Sequence, residues 1–208
     1  GEVCLSNMHG PITADPNDWR GVQIAIDHLR ADLRAVMGRD DLPITIGTLG
    51  KSDVIKADKA LRKELKGKWE KYVITTTDGG VQIVGSDKRG TIFGIYELSR
   101  QLGVSPWYWW ADAPIIARDK VFVRRGSFTD GEPAVKYRGI FINDEWPSFG
   151  TWAGNHFGGI NSKMYAHMFE LLLRLKANYL WPAMWDSAFN EDDPQTQALA
   201  NDYGIVMG

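Results

Sequence analysis

The order of the predicted helices and strands changes near residue 130, and this change constrains the fold most. Before it, hydrophobic spacing and turn residues predict the order β-α-β-α-β-β-α, which describes a small α+β sandwich with helices on one sheet face. After it, the order is β-α-β-α-β with short links, as at the start of a (β/α)8 TIM barrel. We therefore predict an α/β protein with two domains, residues 1–130 and residues 131–208.

Local signals define the elements of the first domain. Asp15-Pro16 predicts the start of a helix, with Asp15 as its cap, and apolar residues recur at helical spacing from residue 22 to residue 36. A weaker, charge-rich helix is predicted around residues 52–66. Strands at 72–76 and 81–85 flank an Asp-Gly-Gly turn, which is typical of a hairpin. The domain ends in a linker rich in polar residues.

The second domain begins with a near-continuous apolar strand, residues 139–142, as expected of a parallel strand buried on both faces. A helix over 163–177 with Ser162 as its cap, a strand over 179–184 and a helix capped by Asp193 follow, and residues 204–207 open a third strand. A doubly wound sheet fits this alternation as well, but no Gly-rich phosphate loop follows the first strand. Three strands cannot close a barrel, so we expect the sequence to be truncated.

Composition excludes several classes of protein. The net charge of -2 and the pI near 6.1 argue against a nucleic-acid partner. No apolar run approaches the roughly 20 residues that span a bilayer, so no membrane partner is expected. The single Cys4 excludes an internal disulfide and a cysteine-based zinc site, and no His and carboxylate pair has the spacing of metal ligands. We predict neither a metal nor a cofactor.

The chain is rich in tryptophan. Seven of its nine Trp lie within residues 107–185. Core packing accounts for about half of such residues in our interpretation, but indole rings near chain turns also suit sugar binding, because the apolar face of a pyranose lies well on an aromatic ring. Trp185 is a candidate to close over a sugar, whereas Trp181 fits the core and a pocket equally well.

Polar residues follow the first predicted barrel strand, where the functional groups of a barrel lie. They are Asn143, Asp144 and Glu145. Two acids and an amide are costly to place there unless they bind something. The alternative is that one acid only caps the next loop. That loop, residues 146–161, is long and holds four Gly together with His156, so His156 is a further candidate for substrate binding.

Four long motifs of the sequence are distinctive. They are Lys136-Tyr137-Arg138-Gly139-Ile140-Phe141-Ile142-Asn143-Asp144-Glu145, Leu171-Leu172-Leu173-Arg174-Leu175-Lys176-Ala177-Asn178-Tyr179-Leu180-Trp181-Pro182-Ala183-Met184-Trp185, Gly85-Ser86-Asp87-Lys88-Arg89-Gly90-Thr91-Ile92-Phe93-Gly94-Ile95-Tyr96 and Ser105-Pro106-Trp107-Tyr108-Trp109-Trp110-Ala111-Asp112. These motifs resemble glycoside hydrolase family 115, and the resemblance covers nearly the whole chain. It implies a xylan α-1,2-glucuronidase that releases 4-O-methylglucuronic acid side groups from glucuronoxylan or aldouronic acids with inversion, as part of a much longer protein.

On this resemblance Asp144 and Glu145 are the candidate catalytic residues, and Asn143 is expected to hydrogen-bond the sugar. An inverting enzyme needs its acid and base roughly 6.5–9.5 Å apart. Neighbouring residues of an extended segment point to opposite sides, so Asp144 and Glu145 are not obviously that pair. Further carboxylates would lie on later strands. The carboxylate of glucuronate is bound well by a cation, and Lys88 and Arg89 are the candidates to bind it. The alternative is that these residues only form an exposed charge cluster.

Other interpretations remain open at this point. Hexosaminidases and family 67 glucuronidases also pair an α+β domain with a barrel. From a different class, the chain could be a non-catalytic carbohydrate-binding fragment, which its tryptophan content favours. We expect the isolated 208 residues to be inactive, the full-length protein to form a homodimer, and its location to be extracellular or periplasmic.

Overall fold

The computed structural model describes residues 1–143 and 146–208. The chain forms two compact units, residues 1–134 and residues 135–208, and each is described by itself. Both mix helices with strands. No helix among the described residues is long and apolar enough to cross a membrane.

The first unit is built on a five-stranded sheet. Its strand order is β2-β3-β5-β4-β7, in which β2, β3 and β5 are parallel while β4 is antiparallel to both of its neighbours. Strands β1 and β6 form a separate antiparallel pair. The elements are β1 (Glu2–Cys4), β2 (Ile12–Ala14), α1 (Arg20–Met37), β3 (Ile44–Thr48), α2 (Lys59–Leu65), β4 (Tyr72–Thr77), β5 (Gly80–Gly85), α3 (Lys88–Gln101), β6 (Phe122–Arg124) and β7 (Gly126–Phe128).

Helices cover both faces of this sheet, whereas the sequence predicted one face. Helix α3 packs against the sheet face that carries Ile83. The approach is close, because a Cβ added at Gly94 would lie 2.7 Å from the Ile83 side chain. Helix α1 packs on α3. Because side chains alternate along a strand, Val73 and Val84 point to the opposite face, and there they form a core with Leu65 of α2.

Two predicted helices of the first unit are shorter than expected. Helix α1 begins at Arg20, not at Asp15, because the Asp15 carboxylate accepts the backbone N–H groups of Asn17 and Asp53, at 2.8 and 2.7 Å, and so holds a turn. Helix α2 begins only after Asp58, whose carboxylate accepts the N–H of Leu61 at 2.8 Å. The predicted linker also differs, since β7 returns to the sheet beside β4.

The second unit contains three parallel strands in the order β10-β9-β8. A Cβ at Gly139 would lie 1.8 Å from the Tyr179 carbonyl oxygen, so the β8–β9 pairing requires glycine there. The described residues show an open sheet rather than a closed barrel. The elements are β8 (Gly139–Phe141), α4 (Phe149–Phe157), α5 (Ser162–Arg174), β9 (Tyr179–Trp181), α6 (Gln195–Tyr203) and β10 (Val206–Met207).

Three local predictions for the second unit are wrong. Strand β8 is exposed along its length instead of buried on both faces, since it is the edge strand of the described sheet. Residues 146–161 are not only a loop, because α4 forms within them. Helix α5 is capped by Asn161, not by Ser162: the Asn161 side chain accepts the N–H groups of Lys163 and Met164.

Asp193 ties α6 to the start of α5. Its carboxylate accepts the N–H of Ser162 at 2.9 Å and that of Gln195, the first residue of α6, at 3.0 Å. Hydrogen bonds from Ser162, followed by the one from Gln195, hold the pKa of Asp193 below its usual 3.8. A carboxyl with a lowered folded-state pKa stabilises the fold above its unfolded-state pKa, and this contribution is lost as the pH falls through the folded-state value.

We therefore expect Asp193→Asn to lower the melting temperature at pH 7 and to make little difference near pH 2. Melting curves of the variant and the unchanged chain between pH 2 and pH 7 measure this. Asp202→Asn, a change of the same kind within α6, is the control. A difference between Asp193→Asn and the unchanged chain that stays constant over this range would contradict the role assigned to the carboxylate.

Candidate functional site

The carboxyl ends of the three parallel strands form the candidate site of the second unit. Parallel pairing places the ends of β8, β9 and β10 at one edge of the sheet. Pairing continues one residue beyond β8, because the N–H of Ile142 donates to the Trp181 carbonyl at 3.0 Å. Asn143 follows directly and is half-buried at this edge. Asp144 and Glu145, the candidate catalytic residues, lie outside the described residues.

The two candidate tryptophans lie at or beyond the end of β9. Trp181 is the last residue of that strand and packs edge-to-face against Phe141, its partner on β8, with ring centroids 5.3 Å apart. Its indole N–H donates to the Met184 sulfur at 3.4 Å. Trp181 is 47% exposed and Trp185 is 75% exposed. Both indoles therefore present aromatic surface to solvent in this chain, and the assignment of Trp181 to a pocket or to a core stays a prediction.

His156 lies in the last turn of α4 and is exposed. Its Nδ1–H donates to the Trp152 carbonyl at 2.8 Å, and its ring packs against the Trp152 ring at 4.7 Å between centroids. Phe149 and Phe157 extend this aromatic cluster on the same helix. Trp152 is not among the residues predicted to bind substrate, although its spacing of four residues from His156 was an available signal, since such residues share a helix face.

Lys88 and Arg89 lie in the first unit, at the start of α3. Asp87 caps this helix by accepting the N–H of Gly90 at 2.8 Å. Arg89 donates from Nε to Glu70 at 2.5 Å and stacks over the Trp69 ring at 4.9 Å. The alternative of an exposed charge cluster is therefore wrong for Arg89. A contact of either cation with a uronate bound in the second unit stays a prediction.

The described residues of the second-unit edge supply an amide and aromatic surfaces. An amide donates and accepts hydrogen bonds with sugar hydroxyls, and indole rings bind the apolar faces of sugars. Within residues 1–143 and 146–208, no group of three or more His, Cys, Asp or Glu could hold a metal ion.

The sequence model of glycosyl hydrolase family 115 matches residues 130–208. The structure of a family 115 4-O-methyl-α-glucuronidase, with specificity for decorated arabinogalactans, matches 99% of this chain at 33% identity and a TM-score of 0.85. This chain belongs to glycoside hydrolase family 115. The family resemblance read from the sequence motifs is confirmed. The chain spans 29% of the length of that glucuronidase.

More distant structures share the fold. A chitobiase from Flavobacterium johnsoniae matches all of this chain and 32% of its own length, at 14% identity and a TM-score of 0.60. A mutant β-hexosaminidase from Streptomyces plicatus matches 94% of this chain and 40% of its own length, at 16% identity and a TM-score of 0.56. Identities this low show a common fold alone. No curated protein matches the chain.

Proposed function

We propose that this family 115 chain is part of an α-glucuronidase that releases glucuronic acid or 4-O-methylglucuronic acid side groups from glucuronoxylan with inversion. The observation that carries the proposal is the 33% identity to a 4-O-methyl-α-glucuronidase over 99% of this chain. That relative is described as specific for decorated arabinogalactans. A direct comparison of glucuronoxylan with a decorated arabinogalactan must therefore decide which polysaccharide is the substrate.

In this proposal, β8, β9 and β10 are the first strands of a (β/α)8 barrel, with the remaining strands supplied by a longer protein. Their parallel order along the sheet supports this, because consecutive barrel strands are neighbours. The substrate would then bind at the strand ends that carry Asn143 and Trp181. Asn143 would hydrogen-bond a sugar hydroxyl, and Asp144 and Glu145 would bind the sugar or assist the attacking water.

The aromatic residues would supply the surface against which the sugar rings pack. Trp185 and Trp181 are the proposed platform because both are exposed near the end of β9. His156 would add a ring nitrogen, since its Nδ1–H is already used by the Trp152 carbonyl and its Nε2 is the remaining polar atom. The proposed substrate is a polymer, which supports the predicted extracellular or periplasmic location.

The test measures sugar release by the longer enzyme that contains this chain. We expect Asn143→Ala to lower kcat/KM about 10- to 100-fold, the loss expected for a substrate hydrogen bond that strengthens in the transition state. Asp144→Asn or Glu145→Gln should lower it about 100- to 10,000-fold if the residue transfers a proton. Asn201→Ala, on α6, is the matched control and should leave the rate unchanged.

Three substrates separate the alternatives. Release of 4-O-methylglucuronic acid from glucuronoxylan supports the proposal. Release only from a decorated arabinogalactan would show that the substrate polysaccharide is arabinogalactan and not xylan. Release of amino sugar from chitin oligosaccharides, with no uronic acid from either polymer, would overturn it.

The exposed indoles also favour a second candidate function, that of a carbohydrate-binding fragment. Binding of aldouronic acid to the isolated chain without turnover would support that function for this segment alone.

A further inference from the structure

A row of polar side chains crosses the whole five-stranded sheet of the first unit. Each strand contributes one member, and the strand register aligns them in the order Thr13, Thr45, Gln82, Thr75 and Ser127. Residues paired directly across strands project from the same face of a sheet. Because neighbouring strands lie about 4.8 Å apart, the row is about 19 Å long. Hydroxyl groups and one side-chain amide are therefore aligned in a single direction.

The members of this polar row are accessible to a ligand. Thr13 and Ser127 are exposed, and the other three are half-buried. The hydroxyls of Thr75 and Ser127 bond to each other at 3.2 Å. Among the described residues, the hydroxyl of Thr45 and the side-chain amide of Gln82 have no hydrogen-bond partner within the protein. The centre of the row can therefore bond to a ligand without breaking a contact of the fold.

The row lies in a continuous groove, which we call the polar groove. One stretch has a volume of about 420 Å³ and is bordered by Pro11 and Pro43. The next stretch, of about 390 Å³, is bordered by Leu61 of α2. Thr75 and Gln82 line both stretches, so the two are continuous. A groove that follows a row of this length suits a chain of several sugar rings better than a single ring.

The charges of the polar groove favour a neutral ligand. Two acids lie at its α2 end, and both are engaged within the fold. Asp58 accepts the N–H of Leu61 at 2.8 Å, and Glu64 is paired with Lys71. Within the part of the chain that the structure describes, the stretch bordered by the prolines is lined by neither a charged nor an aromatic side chain. Hydroxyl and amide groups both donate and accept hydrogen bonds, as the hydroxyls of a neutral sugar do.

We propose that the polar groove binds the neutral backbone of a polysaccharide, a chain of linked xylose rings. Gln82 lies in the middle of the row and would bond to a hydroxyl of the central sugar, and the threonines on either side would bond to the neighbouring rings. Pro11 and Pro43 would supply apolar surface for the C–H groups of a ring. The groove calls for a neutral saccharide chain, and the choice of xylose rests on the proposed function.

The experiment titrates the chain, labelled with ¹⁵N and with ¹³C in the threonine methyl groups, with xylohexaose. We expect the methyl resonances of Thr13, Thr45 and Thr75 and the side-chain amide resonance of Gln82 to shift. Free xylose should bind at least about tenfold more weakly, because one ring reaches fewer members of the row and forms fewer hydrogen bonds.

A double variant tests the centre of the row. Thr45→Val/Gln82→Leu should weaken xylohexaose binding about tenfold, the loss expected for two exposed hydrogen bonds. Both changes keep the approximate size of the side chain, and valine is favoured in strands. Gln197→Leu, at an exposed position of α6, is the matched control and should leave the affinity unchanged. Circular dichroism of each variant establishes that the fold is retained.

Several outcomes would overturn this binding site. They are no shift along the row, equal binding of xylose and xylohexaose, or unchanged affinity in the folded double variant. The affinities are also measured in the longer enzyme by calorimetry. If the double variant and the unchanged enzyme bind xylohexaose equally there, another part of the protein covers the groove, and the proposal fails.

Failure of this proposal is distinguishable from failure of the proposed function, because xylohexaose carries no uronic acid. An enzyme that binds xylohexaose along the row but releases no uronic acid would keep this binding site and lose the proposed function. An enzyme that releases uronic acid from glucuronoxylan without binding xylohexaose along the row would lose only this site.

Discussion

Arg89→Ala is expected to lower the free energy of unfolding of the first unit by about 3–5 kcal/mol, the loss typical of removing one partner of a buried ion pair. Glu70, the partner of Arg89 at 2.5 Å, has a fully buried side chain. The variant would leave this carboxylate in the protein interior without its guanidinium. It would also remove the cation that stacks on Trp69.

Urea unfolding followed by circular dichroism measures this loss. Lys63→Ala, an exposed lysine on α2, is the control and should change the free energy of unfolding by no more than about 0.5 kcal/mol. Adding Glu70→Gln to Arg89→Ala should recover part of the loss, because the buried charge is then absent. A loss below about 1 kcal/mol in Arg89→Ala would contradict the structural role of the pair.

This role changes how a test of uronate binding must be designed. Weaker uronate binding by Arg89→Ala would follow from partial unfolding of the first unit as readily as from a lost contact with the sugar. Circular dichroism of the Arg89→Ala variant must therefore accompany any measurement of its uronate binding.

The second large effect is expected for Asn178→Ala, which should destabilise the second unit by about 2–3 kcal/mol, since it removes two partly buried hydrogen bonds. Asn178 is fully buried just before β9. Its side chain accepts the N–H of Arg138 at 2.9 Å and donates to the Lys136 carbonyl at 2.8 Å. Its backbone carbonyl accepts the N–H of Val206 at 2.8 Å, so one residue joins the starts of all three strands.

Hydrogen exchange of the Arg138 and Val206 amides locates this loss within the second unit. Both amides should exchange faster in Asn178→Ala, by about 30-fold or more for a 2 kcal/mol change in stability. Asn201→Ala on α6 serves as the control and should leave both exchange rates unchanged. Unchanged protection in Asn178→Ala would mean that the strands are aligned by their backbone pairing alone.

Local sequence signals predicted most of the elements. The hairpin of β4 and β5 follows from the Asp-Gly-Gly turn, and most of the element order follows from hydrophobic spacing, although α4 and β7 were not predicted. Errors occurred where a polar side chain bonds to a distant segment. Asp15 resembles a helix cap in the sequence, yet its carboxylate accepts the amide of Asp53, and this bond delays the start of α1.

The candidate site of the second unit was predictable because parallel strands place their carboxyl ends together, which brings Asn143 and Trp181 to one edge from sequence order alone. A groove of the first unit, at the carboxyl ends of β3 and β5, was not predictable in this way. Trp19, Lys51, Trp69 and Lys88 come from four separate segments, and no spacing in the sequence relates them.

The sequence by itself determined the family, most of the element order and the residues that follow each strand, because these depend on long motifs and on the short-range periodicity of side chains. Only the tertiary structure decided that Arg89 pairs with Glu70, that α2 covers the second sheet face and that two lysines share the Trp19 ring. These contacts join residues that are distant in the chain, and they form only once the sheet register has brought those residues together.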